Sequence, residues 1–332
     1  HFFGYPITPQ TEVPEYLVKR LPEVGGVFLQ AESEIASIHM IYGAAGAGVK
    51  CLTSSSSPGI SLMAEGLSYI AACELPCVII NIMRAGPGLG GILPAQSDYW
   101  QATKGHGHGD YQLIVLAPSS VQEAVDHMIL AFELSEKYRN PAMICADGMI
   151  GQMMEPVEFP VEGKGPPLKE NDWALTGAEG RERRIVNSLY LTPEENHAHN
   201  VKLKKKYDLI AANETRSELY PDDGGHQLLI VAFGTMARIC KTAIDEVRKE
   251  GLKVALFRPI TLHPFPLEAC RGAMDRIDGD GTVLTVEMSM GQLVEDVKLA
   301  AEGTRSIEFH GTAGGIVPSP DEVADKIRGL LG

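Results

Sequence analysis

The chain has 332 residues, 44% of them hydrophobic and 22% charged, and is long enough for two domains with separate cores. Its formal net charge of -14 argues against nucleic acid or an anionic membrane surface as the main partner, because both attract basic proteins. No apolar run approaches the roughly 20 residues of a membrane span, and no signal peptide is evident. These totals are typical of an acidic cytoplasmic enzyme.

The six cysteines are scattered within or beside apolar runs, which predicts buried, reduced thiols in a cytosolic protein. Cys73 and Cys77 are four residues apart, but without a second pair they are a poor metal signal, and no iron–sulfur spacing occurs. The first five residues have the pattern of a strand with nothing before it. We therefore expect a start methionine and a leading helix to precede His1.

Strand and helix patterns alternate through the first 150 residues. The strands are nearly continuous apolar runs, which indicates a parallel sheet covered by helices on both faces. In chain order the pattern predicts strands at 2–6, 26–30, 50–53, 77–83, 112–117 and 142–146, and helices at 11–21, 33–46, 57–72 and 119–137.

The character of the chain changes from Gly148 to Gly225, where prolines and charges become frequent. We interpret this part as a connector with a helix near 193–207, and the run Lys204–Lys206 as a solvated helix face. A second α/β unit follows, with predicted strands at 227–233, 253–257 and 282–287 and helices at 236–249, 267–274 and 291–301. The predicted domains are 1–150, a connector at 151–225, and 226–332.

Polar residues follow four of the predicted strands. Thr8, Glu34, the serine loop 53–57 and Arg84 should meet at one edge of the sheet, where parallel α/β proteins bind ligands. Taken alone, Glu34 and its neighbour Glu32 are better explained as partners of the helix dipole. The serine hydroxyls could cap backbone amides or contact a ligand, and Arg84 suits bidentate capture of a carboxylate. Together these residues predict a binding site.

A glycine-rich loop and a histidine pair leave alternatives open. Gly86–Gly91 matches the G-x-G-x-x-G fingerprint after a strand, so an NAD-linked dehydrogenase is one alternative. Pro87 and Pro94 instead indicate an extended loop where that fingerprint should open a helix. His106 and His108 could bind a metal, but no third ligand is near, and we favour a flexible loop over the pocket.

Several stretches together resemble the α subunit of 2-oxoacid:ferredoxin oxidoreductases, in particular the branched-chain (2-ketoisovalerate) type. The resemblance covers nearly the whole chain. It is carried by 4–9 (GYPITP), 30–36 (QAESEIA), 53–59 (TSSSSPG), 83–90 (MRAGPGLG), 107–110 (GHGD), 258–266 (RPITLHPFP) and 286–296 (VEMSMGQLVED). It implies an α/β fold with two doubly wound domains, a thiamine-diphosphate-binding domain of the pyrimidine type and a domain like the C-terminal domain of transketolase.

The resemblance implies a role for each site residue. Glu34 would be the catalytic glutamate, which hydrogen-bonds the aminopyrimidine ring and favours the imino form that removes the thiazolium C2 proton. Thr8 and Arg84 match positions that contact the 2-oxoacid. Further cofactor contacts are predicted at Pro6, Ser55, Ser56 and His108. His106 departs from the family pattern, where a small residue is expected, and this leaves the shape of its loop open.

The expected reaction converts a 2-oxoacid, coenzyme A and oxidised ferredoxin into acyl-CoA, CO₂ and reduced ferredoxin. Asp278–Gly281 resembles the G-D-G motif that holds Mg²⁺ and the diphosphate, but no asparagine follows Asn213 to complete it. We interpret it as a turn before a strand. Mg²⁺ and iron–sulfur clusters are therefore expected in partner subunits: a β subunit with the diphosphate site, and γ and δ subunits.

The substrate stays open among branched-chain 2-oxoacids, 2-oxoglutarate and pyruvate. A non-catalytic structural subunit is a further alternative, although the presence of both Glu34 and Arg84 counts against it.

Overall fold

The computed structural model describes residues 1–105, 107–159 and 171–332; His106 and the connector residues 160–170 lie outside this description. The elements up to residue 152 are β1 (Phe2–Gly4), α1 (Glu12–Glu23), β2 (Phe28–Gln30), α2 (Glu34–Gly46), β3 (Leu52–Ser55), α3 (Ser57–Ala72), β4 (Val78–Met83), α4 (Tyr99–Thr103), β5 (Ile114–Leu116), α5 (Val121–Tyr138), β6 (Ala142–Asp147) and α6 (Gly148–Gln152). Those after residue 190 are α7 (Pro193–Asn213), β7 (Ser217–Tyr220), β8 (His226–Val231), α8 (Gly234–Lys249), β9 (Val254–Pro259), β10 (Thr261–His263), α9 (Leu267–Met274), β11 (Ile277–Glu287), α10 (Leu293–Ala301), β12 (Ile307–Gly311) and α11 (Pro320–Leu331).

The first sheet has the predicted parallel arrangement. Its strand order within the described residues is β10-β5-β6-β4-β3-β1-β2, and its pairings are parallel except that of β10 with β5. The apolar strands β4 and β6 lie at its centre and are almost completely buried, because helices cover both faces. The carboxyl ends of β1, β3 and β4 therefore lie side by side at one edge.

The second sheet has the order β12-β11-β8-β9-β7 within the described residues, with β7 antiparallel to β9 and the other pairings parallel. β7 begins inside the predicted connector, and the sequence pattern predicted neither β7 nor β12 nor the helix α11. β10 was also missed, and it joins the first sheet although it follows β9 in the chain. The second part of the chain therefore completes the first sheet.

The turn predicted at Asp278–Gly281 is wrong, because these residues lie within β11. Ile277 already pairs with β8, and the register shifts between Ile277 and Thr282. Gly279 takes φ +58, a backbone conformation that glycine adopts without steric cost. The Asp-Gly pattern thus bends a continuing strand.

The connector helix α7 is longer than predicted and continues to Asn213. Its buried face consists of Leu203, Tyr207 and Ile210. Lys204 and Lys205 are exposed, as predicted for a solvated face. Lys206 is not, since its ammonium lies 3.6 Å from the Glu74 carboxylate and burial lowers its pKa to about 8.

All six cysteines are buried and unpaired, which confirms the prediction of buried thiols. In the part of the chain that the structure describes, no helix has the length and apolar character needed to cross a membrane.

The two sheets pack together through a shared core and buried polar contacts. One buried cluster contains side chains from both sheets, and the rings of Tyr99 and Phe233 meet with centroids 5.9 Å apart. Arg258, whose side chain is 3% exposed, donates to both carboxylate oxygens of Glu123 at 2.7 and 2.8 Å and to Glu218 at 2.7 Å. This arginine joins α5 of the first sheet to β7 and β9 of the second.

We expect Arg258→Met to lower the free energy of unfolding by about 2–3 kcal/mol, because the charge-assisted hydrogen bonds to the partly buried carboxylates of Glu123 and Glu218 are lost. Burial by itself raises the pKa of Glu123, but the Arg258 hydrogen bonds outweigh it and lower that pKa to about 2. The stability from this pair is thus present above the ordinary carboxyl pKa and is lost as the pH falls toward 2.

Urea unfolding of the wild type and Arg258→Met, at pH 7 and in acid, measures this effect. The difference between the two proteins should shrink as the pH falls. Arg20→Met, which removes an exposed pair with Glu23, is the control and should change stability little. Equal losses for both variants at pH 7 would contradict the assignment.

Candidate active site

Glu34 opens α2 with its side chain turned inward. The Ser33 hydroxyl accepts a hydrogen bond from the Ala36 amide at 3.2 Å, which caps the helix and starts it at Glu34. Glu34 is only 6% exposed, whereas Glu32 is exposed. Among the described residues no donor forms a hydrogen bond with the Glu34 carboxylate. Since complementing a helix dipole does not require burial, the inward placement favours a further role.

Gly59, in the first turn of α3, allows the Glu34 carboxylate to approach the helix closely. A Cβ atom at residue 59 would lie 2.8 Å from Glu34 Oε1 and 2.0 Å from Ser55 Oγ. The carboxylate therefore lies next to the Ser55 hydroxyl, beside the N-terminus of α3. Sequence analysis missed Gly59, although a glycine directly after Pro58 was a visible signal.

The serine loop presents buried hydroxyls that have no protein partner. The Oγ atoms of Thr53, Ser55 and Ser56 are buried and form no hydrogen bond within the described structure. Ser56 is the N-cap of α3, yet its side chain does not cap the helix, so the capping alternative is not realised for this residue. A buried polar atom without a partner costs about 1–3 kcal/mol. Several of them at one sheet edge are expected where a ligand supplies the partners.

Arg84 directly follows β4 and reaches the loop that contains Thr8. Its Nη1 donates to the Thr8 carbonyl at 2.9 Å and its Nη2 to the Leu89 carbonyl at 3.2 Å. Arg84 is 8% exposed, and its Nε is buried without a partner. Two carbonyls thus fix the guanidinium, and its Nε–H donor has no acceptor among the described residues. Thr8 is exposed and contacts Arg84 through its backbone carbonyl. The structure therefore places Thr8 and Arg84 next to each other, as the sequence predicts.

Three buried polar residues at this edge were missed by sequence analysis: Gln10, Asn81 and Asp98. Gln10, 1% exposed, accepts a hydrogen bond from Ser54 and so ties the loop after β1 to β3. Asp98 Oδ2 accepts hydrogen bonds from Ser57 Oγ at 2.6 Å and from Asn81 Nδ2 at 2.9 Å. Burial raises the pKa of the Asp98 carboxyl. A polar residue inside the apolar strand β4 was the available signal for Asn81.

The two other predicted cofactor residues, Pro6 and His108, are both exposed. Pro6 lies in the loop between β1 and Thr8, at the edge described above. The His108 carbonyl accepts a hydrogen bond from Ser68, and its ring packs edge-on against Tyr69. Because Ser68 lies three helical turns beyond the start of α3, about 16 Å along the helix, the structure does not bring His108 to Glu34.

Two alternatives lose support from the geometry. The loop Gly86–Gly91 opens no helix, since α4 begins only at Tyr99, so the backbone amides that a dinucleotide pyrophosphate needs are not presented. His108 is not part of any metal-binding cluster of His, Cys, Asp or Glu in the described parts of the chain. The pairing of His106 with His108 lies outside the described residues.

Two family models together match nearly the whole chain. Residues 1–217 match the model described as pyruvate flavodoxin/ferredoxin oxidoreductase, thiamine diphosphate binding. Residues 227–323 match the model described as pyruvate:ferredoxin oxidoreductase core domain II.

Individual relatives agree with these matches. The chain is 46% identical to the ketoisovalerate oxidoreductase subunit VorB of Methanothermobacter marburgensis, over 100% of this chain and 92% of the relative. Among solved structures it is similar to the 2-oxoglutarate:ferredoxin oxidoreductase from Magnetococcus marinus with 2-oxoglutarate, coenzyme A and succinyl-CoA bound. That similarity has a TM-score of 0.85 at 27% identity and covers all of this chain, which spans 62% of the solved chain.

A second solved structure, a split-gene transketolase described as an inactive β4 tetramer, shares the fold alone, at 13% identity and a TM-score of 0.55 over 99% of this chain and 91% of that chain. The predicted fold class of two α/β units, with thiamine-diphosphate-binding and transketolase-like character, is confirmed by the two sheets and these matches.

Proposed function

Because this chain belongs to the pyruvate flavodoxin/ferredoxin oxidoreductase family, we propose that it supplies the pyrimidine-binding half of a thiamine-diphosphate site in a 2-oxoacid:ferredoxin oxidoreductase. The observation that carries this proposal is the Glu34 carboxylate, buried beside Ser55 at the sheet edge. Its relatives are named as subunits, so the chain acts within a multisubunit enzyme.

The residues at this edge fit the cofactor. The unpartnered hydroxyls of Ser55 and Ser56 would exchange hydrogen bonds with the polar atoms of an aminopyrimidine, and the glycine at 59 keeps the approach free. Glu34, shielded from water, would hold a proton at the ring nitrogen and so favour the imino tautomer. Thiamine diphosphate, when bound, supplies the carbanion chemistry. Pro6 would contribute a contact from the neighbouring loop, whereas the role proposed for His108 has no geometric support.

Arg84 is proposed to bind the carboxylate of the 2-oxoacid. A guanidinium held by two carbonyls keeps a fixed plane, and its buried Nε is available to an anionic ligand. Thr8 lies against it and would contact the same substrate. Together they would place the substrate next to the cofactor, which is the contribution of orientation to the rate.

We assign the remaining components to partner subunits: a β subunit with the diphosphate and Mg²⁺ site, γ and δ subunits with iron–sulfur clusters, and ferredoxin as electron acceptor. An apolar rim around the proposed site supports coverage by a partner. Ile35, next to Glu34, is 50% exposed, Leu62 on α3 is 51% exposed, and Leu89, whose carbonyl binds Arg84, is 87% exposed, so a partner that covers the site would bury apolar surface. We propose a cytoplasmic location for this assembly.

The proposed division of the chain keeps 1–150 as the pyrimidine-binding domain, 151–225 as the connector and 226–332 as the transketolase C-terminal-like domain. It is supported near residue 225, where the two matched family models leave a gap between 217 and 227.

We propose a branched-chain 2-oxoacid as the substrate. The support is the 46% identity to a ketoisovalerate oxidoreductase subunit, against 27–35% to the 2-oxoglutarate enzymes. The NAD-linked alternative lacks the helix that its fingerprint requires. A purely structural subunit would need neither the buried Glu34, which has no hydrogen-bond partner among the described residues, nor the buried guanidinium of Arg84 at the same sheet edge.

The chain co-expressed with its partner subunits should oxidise 2-ketoisovalerate with a low-potential dye, in a reaction that requires coenzyme A. We expect kcat/KM at least tenfold higher than for pyruvate or 2-oxoglutarate. NAD⁺ should not replace the dye. Failure with every 2-oxoacid, or turnover supported by NAD⁺, would overturn the proposed function, while a preference for 2-oxoglutarate would overturn only the substrate.

A further inference from the structure

We propose that Asp98 is a positioning residue for Arg84, and that the second sheet holds Asp98 in its working position. The inference rests on the proposed function, because it concerns how Arg84 is aimed at the 2-oxoacid carboxylate. Asp98 follows the glycine-rich loop that begins after Arg84, and the two residues are connected by a short series of buried hydrogen bonds.

The first step connects Asp98 to the backbone of Arg84 through one serine. Ser57 Oγ donates to Asp98 Oδ2 at 2.6 Å and accepts the Arg84 backbone N–H at 2.9 Å. A hydroxyl has one hydrogen, so the carboxylate fixes the direction of that donor and leaves the oxygen lone pairs toward Arg84. Asp98 therefore determines how the first residue of α3 holds the residue after β4.

Asn81 makes the arrangement rigid. Its Nδ2 donates to Asp98 Oδ2 at 2.9 Å, and its Oδ1 accepts the Ser57 backbone N–H at 3.1 Å. Asn81, Ser57 and Asp98 thus form a closed triangle, with exposed fractions of 0%, 7% and 8%. Satisfied buried networks of this type fix one geometry, because each alternative leaves a polar atom unpaired.

Residues that follow strands of the second sheet form hydrogen bonds with the segment that carries Asp98. Gln96 is fully buried; its backbone and amide exchange hydrogen bonds with the backbone of Met288 at 2.8 and 3.1 Å, and its Nε2 donates to the Phe233 carbonyl at 2.8 Å. These partners follow β11 and β8, at the carboxyl ends of the central strands. Gln96 therefore occupies the crevice where an isolated α/β sheet would receive a ligand.

Further hydrogen bonds hold the residues directly before and after Asp98. Gln292 donates from Nε2 to the Ser97 carbonyl at 2.7 Å and accepts the Trp100 backbone N–H through Oε1 at 2.9 Å. Asp296 accepts from the Tyr99 hydroxyl at 2.5 Å. Contacts on both sides leave Asp98 little freedom to move along the chain, so the second sheet acts on Arg84 through this segment.

Asp98 also lies in the wall of two cavities, of about 310 and 280 Å³, that flank the loop after Arg84. Both are lined in addition by Gly86 and Pro87. Displacement of Asp98 would therefore change the space on both sides of the loop that follows Arg84, as well as the position of Arg84 itself. This predicts an effect on substrate binding rather than on stability alone.

The test compares Ser57→Ala with Ser135→Ala in the assembled enzyme. Both serines are buried and donate a hydrogen bond from Oγ. Ser57 donates to the Asp98 carboxylate, whereas Ser135 donates to the Cys77 carbonyl at the opposite end of the sheet. We expect Ser57→Ala to raise KM for the 2-oxoacid about tenfold or more with a smaller change in kcat. Ser135→Ala should leave KM within twofold, even if the melting temperature falls equally.

Asp98 itself is tested with two substitutions. Asp98→Asn keeps an oxygen that can accept both hydrogen bonds, so KM should stay within about threefold of the wild type. Asp98→Ala should raise KM about 10–100-fold and reduce the rise in melting temperature that the 2-oxoacid produces. Gln292→Ala, which changes a residue at the start of α10, should also raise KM although it leaves both Asp98 and Arg84 in place.

The outcomes separate the two proposals. An inactive wild-type complex overturns the proposed function and, with it, this role of Asp98. An active wild type in which Ser57→Ala and Ser135→Ala have the same KM overturns the positioning role alone. Asp98→Asn as damaging as Asp98→Ala also overturns it, since hydrogen bonding would then not be the means of action.

Discussion

Replacing Glu34 with glutamine should lower kcat of the assembled enzyme about 10²–10⁴-fold, the range associated with loss of a positioned acid–base group. Glutamine has nearly the same size and fits beside Gly59, but it cannot hold a titratable proton at the pyrimidine nitrogen. Because Glu34 is 6% exposed, water cannot take over that function. Steady-state turnover with a saturating 2-oxoacid measures the effect.

Glu32→Gln is the matched control, since it makes the same chemical change two residues away at an exposed position. We expect it to leave kcat unchanged. Both variants should elute with the partner subunits in size-exclusion chromatography, which separates loss of chemistry from loss of assembly. Near-normal turnover by Glu34→Gln would contradict the catalytic assignment.

Gly59→Ala tests the same assignment without touching the glutamate. A methyl carbon at residue 59 would lie 2.8 Å from Glu34 Oε1 and 2.0 Å from Ser55 Oγ, which is closer than van der Waals contact allows, so both side chains must move. Gly43→Ala in α2 is the matched control, because nothing lies within 4 Å of a Cβ at that position. Alanine there should be neutral or stabilising, as glycine is unfavourable within a helix. Equal activity of the two variants would contradict the proposed geometry.

Strand periodicity predicted most of the first sheet because its central strands are continuous apolar runs. β4 and β6 are examples, and their burial on both faces leaves a pattern that needs no tertiary information. β10 could not be predicted in this way. Its partner β5 lies about 145 residues earlier in the chain, so its state depends on packing between the two parts of the chain.

The residues of the candidate site likewise fall into those that the strand pattern could predict and those that it could not. Thr8, Glu34 and Arg84 follow parallel strands and Ser55 ends one, and the carboxyl ends of such strands meet at one edge of the sheet. The triangle of Asn81, Ser57 and Asp98 has no sequence signature, because its members come from a strand, a helix and a loop. Strand pattern does not place loop residues such as His108, so the cofactor contact predicted for His108 stays a prediction.

Replacing Arg84 with lysine should raise KM for the 2-oxoacid about 100-fold, with a smaller effect on kcat. A lysine ammonium can replace neither the pair of carbonyl contacts to Thr8 and Leu89 nor the planar donor edge that binds a carboxylate. Loss of a buried, hydrogen-bonded charge contact costs about 2–5 kcal/mol, and tenfold in affinity corresponds to about 1.4 kcal/mol.

The sharpest measurement for Arg84 compares two substrates in the same variant. The aldehyde that corresponds to the decarboxylated 2-oxoacid has no carboxylate, so Arg84→Lys should bind it as the wild type does. Arg238→Met, on α8 with its partly buried pair to Glu155, serves as the arginine control and should leave the binding of both substrates unaffected. Only a direct ionic contact to the carboxylate can distinguish two substrates that differ by that group. If Arg84→Lys weakens the binding of the acid and of the aldehyde equally, Arg84 therefore shapes the pocket and does not bind the carboxylate.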